Sequence, residues 1–222
     1  MYKSTTSNKL IAMVAIASAT LLFAGNVAAK KDSGKGPGKP GEDNIVQIAM
    51  DNGNFEYLLG AVGCFTDPET GENPIVDLLT GDDRLTLFAP TDQAFINLQN
   101  TLNDLWGLEL EETAPEVTCA VDMLYGEGTL FTILAYHLTE GRRFSNSIFN
   151  QNNSKDIEML AGGYVTSTTM PSAKLITNIS QMVSPVLDED GVTPLINIRA
   201  SNGVIHVIDT VMLPIDPTPP EE

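Results

Sequence analysis

The spacing of apolar residues changes along the chain. In four early and central segments, apolar residues recur three and four positions apart, which is the period of a helix that buries one face. These segments are residues 45–50, 55–62, 75–79 and 129–138. Strands are predicted at residues 85–88, 157–160, 164–168, 195–199 and 204–208, which are rich in β-branched and aromatic residues. Helices concentrated early and strands concentrated late predict an α+β domain.

Polar residues mark where the first of these helices and one further helix begin. Asn44 precedes the first apolar segment and is a suitable helix cap. Thr91 and Asp92 follow Pro90, and either side chain can accept hydrogen bonds from the free N–H groups of the next helix, which carries Phe95 on its apolar face. We therefore assign Thr91, Asp92 and Phe95 a structural role.

The last two strands are predicted to form a hairpin. Asn202 and Gly203 lie between them, and Asn-Gly is typical of a tight turn in which both residues adopt positive φ angles. His206 alternates with its strand neighbours, so we expect it to share a face with Val204 and Ile208. Packing in the core or against the neighbouring strand is the role predicted for His206.

The N-terminus has the features of a secretory signal peptide. Lys3 and Lys9 precede an apolar run at residues 10–25, and small residues follow at 27–29. A membrane anchor is the alternative, but the run is shorter than the ~20 residues that a bilayer span needs. We therefore predict cleavage after residues 1–29, no membrane span afterwards, and a secreted, periplasmic or cell-surface location.

The rest of the chain divides into three parts. Residues 30–42 contain Gly, Pro and Lys and are predicted to form a flexible linker. Residues 43–214 have the length of one domain. Residues 215–222 are acidic and rich in proline, so we expect an extended tail.

The chain is strongly acidic. It has 29 Asp and Glu against 12 Lys and Arg, a formal net charge of −17. Lys30, Lys31, Lys35 and Lys39 lie in the linker, so the domain itself is more acidic still. Such a domain repels phosphate backbones, which excludes nucleic acid as an expected partner. Solubility is the simplest reason for this charge.

The chain contains two cysteines, Cys64 and Cys119. An even number of cysteines in an exported protein suggests a disulfide, here one that would close a long loop. Two buried free thiols are the alternative.

Three blocks of sequence resemble the fasciclin (FAS1) domain. They are LTLFAPTDQAF at residues 85–95, ILAYHLTEG at residues 133–141 and ASNGVIHVIDTVMLP at residues 200–214. The resemblance extends over residues 43–214 and implies a wedge or sandwich of about seven strands packed against a helical layer. Members of the family are extracellular or cell-surface proteins, often linked to adhesion or matrix interaction. Residues 98–130, which include Trp106, are longer and more acidic than is usual in the family.

The pair Tyr136-His137 matches the Tyr-His motif of the family, which in some animal members is tied to integrin binding. Leu134 and Leu138 flank it. A structural role is the alternative, because His137 falls on the apolar face of its helix, where a neutral imidazole can donate one hydrogen bond and accept another. Asp92 is a candidate partner for this histidine.

Motifs of catalysis and cofactor binding are missing from the sequence. There is no nucleophile elbow, H-E-x-x-H helix, Walker loop or dinucleotide-binding glycine motif, and two histidines exclude a site with several histidine ligands. We therefore predict neither an enzyme nor a bound cofactor or metal.

The leading hypothesis is a binding module. The exposed face around Tyr136 and His137, or the segment with Trp106, would dock onto an extracellular protein or polysaccharide. The alternative is a carrier of a hydrophobic small molecule, a lipid or carotenoid, since some relatives in photosynthetic microbes bind carotenoids. Its cleft would be lined by Met123, Met159, Met170, Met182 and Met212. A third possibility is an architectural domain with no ligand of its own.

Overall fold

The computed structural model describes most of the chain after the predicted linker. The described residues are 41–67, 69–107, 118–119, 121, 125–149, 154–169, 172–188 and 191–218. The predicted signal peptide and almost all of the predicted linker lie outside them. Within the described ranges, no helix has the length and apolar character to cross a membrane.

Six helices are present in the described residues, and side-chain caps begin several of them. Asn44 and Gln47 form a capping box at the first helix, while Asn73 and Thr91 cap the third and fourth. The helices are α1 (Ile45–Asn52), α2 (Glu56–Gly63), α3 (Pro74–Thr80), α4 (Asp92–Trp106), α5 (Thr129–Ala135) and α6 (Ser145–Ile148).

Eight strands form two four-stranded sheets in the described part of the chain. The first sheet has the order β2-β1-β8-β7 and the second the order β3-β4-β5-β6. The strands are β1 (Leu85–Pro90), β2 (Leu138–Glu140), β3 (Lys155–Glu158), β4 (Tyr164–Thr168), β5 (Lys174–Ile176), β6 (Met182–Val183), β7 (Ile198–Ala200) and β8 (Gly203–Ile208).

The first sheet is the middle layer of the domain. Its central strands, β1 and β8, run parallel and are buried along their whole length. Leu87 and Ala89 pack with the helices, whereas Phe88 and Ile208 pack with the second sheet. A helical layer, a first sheet and a second sheet therefore follow one another, which confirms the predicted α+β sandwich.

The second sheet covers the first with one face. Each strand of the second sheet buries an apolar residue in the core between the two sheets. These residues are Ile157, Val165, Leu175 and Val183. The residues next to them along each strand point to the opposite face, because side chains alternate along a strand. The second sheet thus has one packed face and one outer face.

The turn between β7 and β8 lies where predicted, but the predicted reason is wrong. Neither Asn202 nor Gly203 adopts a positive φ angle. Glycine is needed at position 203 because a Cβ there would clash with the backbone oxygen of Leu85 and lie 2.7 Å from Cδ1 of Ile45. Close approach of two strands and a helix, rather than turn geometry, explains this residue.

Cys64 and Cys119 form a disulfide, as expected from the sequence. Cys64 directly follows α2, and Cys119 is separated from it by 55 positions along the chain. The bridge therefore fastens the long segment after α4 to the helical layer.

Candidate functional site

Tyr136 and His137 lie at the turn between α5 and β2 and are buried. Leu134 and Leu138, on either side of the pair, are buried as well. The predicted helix at residues 129–138 ends earlier, at Ala135, because Leu138 pairs with Leu87 in the first sheet. This corrects the expectation that the face around the pair is exposed: the pair belongs to the core.

His137 joins α5 to the segment after β8. Its Nδ1 lies 2.7 Å from the backbone oxygen of Ile133, and its Nε2 lies 2.9 Å from the backbone nitrogen of Met212. Since the backbone oxygen can only accept and the backbone N–H can only donate, Nδ1 carries the proton and the ring is neutral. Burial lowers the pKa of His137 to about 4, against the opposing effect of its hydrogen bond to Ile133.

Asp92 is not the partner of His137. Its carboxylate accepts a hydrogen bond of 2.9 Å from the backbone N–H of Tyr57, at the first turn of α2. Thr91 caps α4 itself, and Phe95 stacks on the ring of Tyr57 at 5.9 Å. Asp92 and Phe95 therefore fasten α4 to α2, whereas Thr91 stabilises the start of α4.

The side chain of Tyr136 is hydrogen-bonded to the second sheet from the side of the core. Its hydroxyl lies 2.9 Å from the backbone oxygen of Tyr164 and 3.1 Å from Oδ1 of Asn178, and it accepts from the backbone N–H of Asn178 at 3.3 Å. Its ring is packed in the core between the sheets. Burial raises the pKa of Tyr136, and the hydrogen bond from Asn178 opposes this effect. Tyr136 thus fixes the start of β4 and the turn after β5.

The outer face of the second sheet carries exposed apolar side chains above this support. Thr166, Ile176 and Met182 lie side by side on β4, β5 and β6, and Tyr164 lies two residues before Thr166 on the same face. Tyr164 is 55% exposed and Met182 is 63% exposed. We call these four residues the outer patch. Asp156 and Glu158 on β3 give it an acidic rim.

The outer patch is only partly visible in the sequence. The alternation of Tyr164, Val165 and Thr166 could have shown that the tyrosine points away from a buried valine. Met182 gave no such signal, because β6 has only 2 residues. Its position on the outer face follows only from its pairing with Ile176.

Trp106 lies at the end of α4 and is half-buried. Its Nε1 donates to the backbone oxygen of Pro217 at 3.0 Å, and the hydroxyl of Tyr125 donates to the same oxygen at 2.8 Å. The rings of Trp106 and Tyr125 meet edge to face at 5.4 Å. The predicted tail therefore begins with a segment that is packed against the domain.

The remaining structural residues lie around the hairpin. The side chain of Asn202 accepts from the backbone N–H of Ile45 at 3.1 Å and donates to the backbone oxygen of Leu79 at 2.6 Å. His206 stacks on Phe88 at 5.6 Å and lies 2.8 Å from the backbone oxygen of Arg143. Burial lowers the pKa of His206, and the hydrogen bond to Arg143 opposes this.

Two cavities in the described part of the domain are too small for a lipid or pigment. One of about 30 Å³ lies beneath α1, α2 and α3, and one of about 10 Å³ lies beside α4. Sites for small molecules have volumes of roughly 300 Å³ or more. Met159 and Met212 fill the core between the sheets, whereas Met182 is exposed. The predicted methionine cleft is therefore not formed by these residues, and Met123 and Met170 lie outside the described ranges.

The described residues contain no group of three or more His, Cys, Asp or Glu side chains arranged to hold a metal ion. The site consists instead of a buried Tyr-His pair, an exposed patch above it, and an aromatic contact with the C-terminal segment.

Comparison with known proteins identifies the family. A sequence model of the Fasciclin domain matches residues 72–214. Two proteins of Synechocystis sp. (strain ATCC 27184 / PCC 6803 / Kazusa) are similar over 171 residues, or 77% of this chain. Protein sll1483 is 29% identical over 73% of its own length, and Uncharacterized protein sll1735 is 27% identical over 97% of its length.

The solved FAS1 domain pair from the insect cell adhesion molecule Fasciclin I has a similar fold, with a TM-score of 0.52 and 15% sequence identity. The similarity covers 77% of this chain and 51% of the pair, so the chain spans about half its length. Together with the match over residues 72–214, this shows that the chain belongs to the fasciclin domain family.

Proposed function

We propose that this chain is an exported, non-catalytic binding module that mediates adhesion or surface interaction by docking an extracellular protein or polysaccharide on the outer patch. The observation that carries the proposal is the exposure of Tyr164 and Met182, at 55% and 63%, on a sheet whose other face is packed. Aromatic and methionine side chains are enriched where proteins bind partners, and exposed apolar groups with a polar rim are typical of such surfaces.

The support beneath the patch favours binding without rearrangement. Tyr136 holds the backbone of Tyr164 through a hydrogen bond of 2.9 Å, and the inward residues of the sheet are buried. A surface that is fixed before binding loses less conformational entropy when a partner docks. The Tyr-His pair would therefore act by positioning the patch and not by touching the partner.

The family and the chemistry agree with this proposal. Fasciclin domains mediate interactions with extracellular partners and are generally non-catalytic. The disulfide between Cys64 and Cys119 is compatible with an extracellular protein, because disulfides persist in oxidising compartments. The predicted signal peptide at residues 1–29 supports the same location.

The experiment compares adhesion of the purified wild-type chain with that of two variants. Tyr164→Ser combined with Met182→Ser removes the apolar part of the patch, and Val192→Ser removes an apolar residue that is 77% exposed elsewhere. We expect the double variant to lose at least about tenfold in affinity for the extracellular material of its own source, a change of about 1.4 kcal/mol. The Val192→Ser control should bind like the wild type.

Circular dichroism and urea unfolding of both variants verify that the fold is retained. Treating the extracellular material with a protease or with polysaccharide-degrading enzymes distinguishes the two classes of partner. The proposal would be overturned if the folded double variant adhered as strongly as the wild type, or if the wild type did not adhere at all.

A further inference from the structure

A second surface of the domain holds the chain's own C-terminal segment in the manner of a bound peptide. The indole N–H of Trp106 and the hydroxyl of Tyr125 converge on one backbone oxygen, that of Pro217. We call these two aromatic residues the carbonyl clamp. The clamp binds a backbone oxygen, so its two hydrogen bonds do not depend on the side chain at position 217.

An apolar groove lies beside the clamp. Ile215 and Pro217 are seated on side chains from α4, α5 and the segment after β8, together with Val121 and Tyr125. The groove residues are Leu98, Leu102, Val121, Ile133 and Leu213. Ile215 remains 39% exposed, and a void of about 10 Å³ remains in the groove. The segment therefore covers the groove without filling it.

The seated segment has the chemistry of a peptide ligand. Prolines fix an extended backbone whose oxygens are free to accept, and aromatic grooves recognise such segments through these oxygens and through apolar side chains. Here the apolar side chain, Ile215, lies two positions before Pro217. Both elements of the contact are properties of a short peptide and do not require covalent continuity with the domain.

The charge of the segment has the same sign as the net charge of the chain. Asp216 lies between the two seated residues, in a chain of net charge −17. Its negative charge also contributes to raising the pKa of Tyr125, after the larger effect of burial. The acidic chain as a whole should favour a peptide with a neutral or basic residue at this position over one with a carboxylate.

We propose that the carbonyl clamp and its groove form a docking site for an extended partner peptide that carries an apolar residue two positions before a proline and a neutral or basic residue between them. The chain's residues 215–218 occupy this site as an intramolecular competitor. The site is separate from the outer patch and does not depend on the function proposed for it.

Trp106 is the only tryptophan of the chain, so its fluorescence reports on the clamp directly. The test uses the full chain with Ile215→Asp and Pro217→Gly, which removes both seated side chains and the fixed φ angle that holds the backbone oxygen of residue 217 at the clamp. These changes are needed because a tethered segment competes at an effective concentration in the ~mM range. We expect the tryptophan emission of this tail-released variant to shift to longer wavelength than in the wild type.

A synthetic peptide corresponding to residues 213–218 with Asp216→Lys is then titrated into the tail-released variant. We expect saturable reversal of the emission shift. The same peptide with Asp216 retained should bind more weakly, and one with Ile215→Ser should bind more weakly still. Adding Tyr125→Phe to the protein removes one hydrogen bond and should weaken binding about three- to tenfold.

Circular dichroism establishes that each variant is folded. An unchanged emission in the tail-released variant would show that the segment does not occupy the clamp. A folded, tail-released variant that shows no saturable response to the Asp216→Lys peptide would show that the contact is only a structural strap. Either result overturns the proposal.

Discussion

Two buried histidines hold distant backbone segments together in their neutral form. His137 accepts from Met212 and donates to Ile133, and His206 bonds the backbone of Arg143. Protonation would convert the acceptor nitrogen of His137 into a donor facing another donor, the N–H of Met212. At the scale of single residues, these imidazoles therefore form hydrogen bonds in the core that are sensitive to acid.

The free energy of unfolding should fall as the pH falls below about 6.5. A histidine in the unfolded chain has a pKa of about 6.5, whereas burial lowers that of His137 to about 4, so the folded state binds fewer protons between these values. The stabilisation is complete above pH 6.5 and is lost toward pH 4, by up to about 1.4 kcal/mol per pH unit for His137. His206, whose pKa is also lowered, acts with the same sign.

Urea unfolding at pH 7.5 and pH 5.5 measures this loss, since both values lie above the range of about 4 in which carboxylates titrate. The variants His137→Gln and His206→Gln should each show a smaller dependence on pH than the wild type. A stability that is constant or rises on acidification would contradict the expectation.

Secondary-structure elements meet at the hairpin between β7 and β8. Asn202 bonds α1 through Ile45 and the end of α3 through Leu79, and the backbone N–H of Leu85 in β1 donates to its backbone oxygen at 3.1 Å. Replacing the side chain leaves buried polar groups of two helices without their partner. At this scale, the hairpin is the junction of the helical layer with the first sheet.

Asn202→Ala should lower the free energy of unfolding by about 2–4 kcal/mol, because each buried group left unpaired costs about 1–3 kcal/mol. Asn52→Ala is the matched control, since Asn52 is exposed and its side chain accepts a hydrogen bond of 3.1 Å from the side chain of Asn54, which is exposed as well. The control should change stability by less than about 0.5 kcal/mol. Equal urea midpoints for the two variants would show that Asn202 is not a junction.

Local sequence signals predict most of the helices and strands. They fail where contacts between residues distant in sequence determine the structure. The capping box of Asn44 and the position of the hairpin turn follow from short-range chemistry. The end of α5 does not, because the pairing of Leu138 with Leu87 overrides helix propensity. Nor does the need for Gly203, which depends on contacts with Leu85 and Ile45.

The candidate site was less accessible from sequence for the same reason. The family motif includes Tyr136, but the hydrogen-bond partners of this tyrosine, Tyr164 and Asn178, are distant in sequence. The carbonyl clamp joins Trp106 to Pro217 across 111 positions. No local pattern could have shown that a proline-rich tail folds back onto the end of α4.

On the scale of the whole molecule, the disulfide between Cys64 and Cys119 restricts the unfolded chain. It joins residues 55 positions apart, and a closed loop of this length contributes about 4 kcal/mol in the chain-entropy model. Replacing both cysteines by serine should therefore lower the free energy of unfolding by up to about 4 kcal/mol. Denaturant unfolding of this variant, and of the wild type with and without reductant, measures the effect. Identical midpoints for the oxidised and reduced wild type would contradict it.

The parallel pairing of β1 with β8 sets the order in which the domain can be completed. Leu85 pairs with Gly203, which is distant in sequence, so the central strand β1 has no partner on one side until β8 has been synthesised. Contacts between residues so distant in sequence are slow to form. The domain of a growing chain therefore remains incompletely folded until its last strand, β8, has been made.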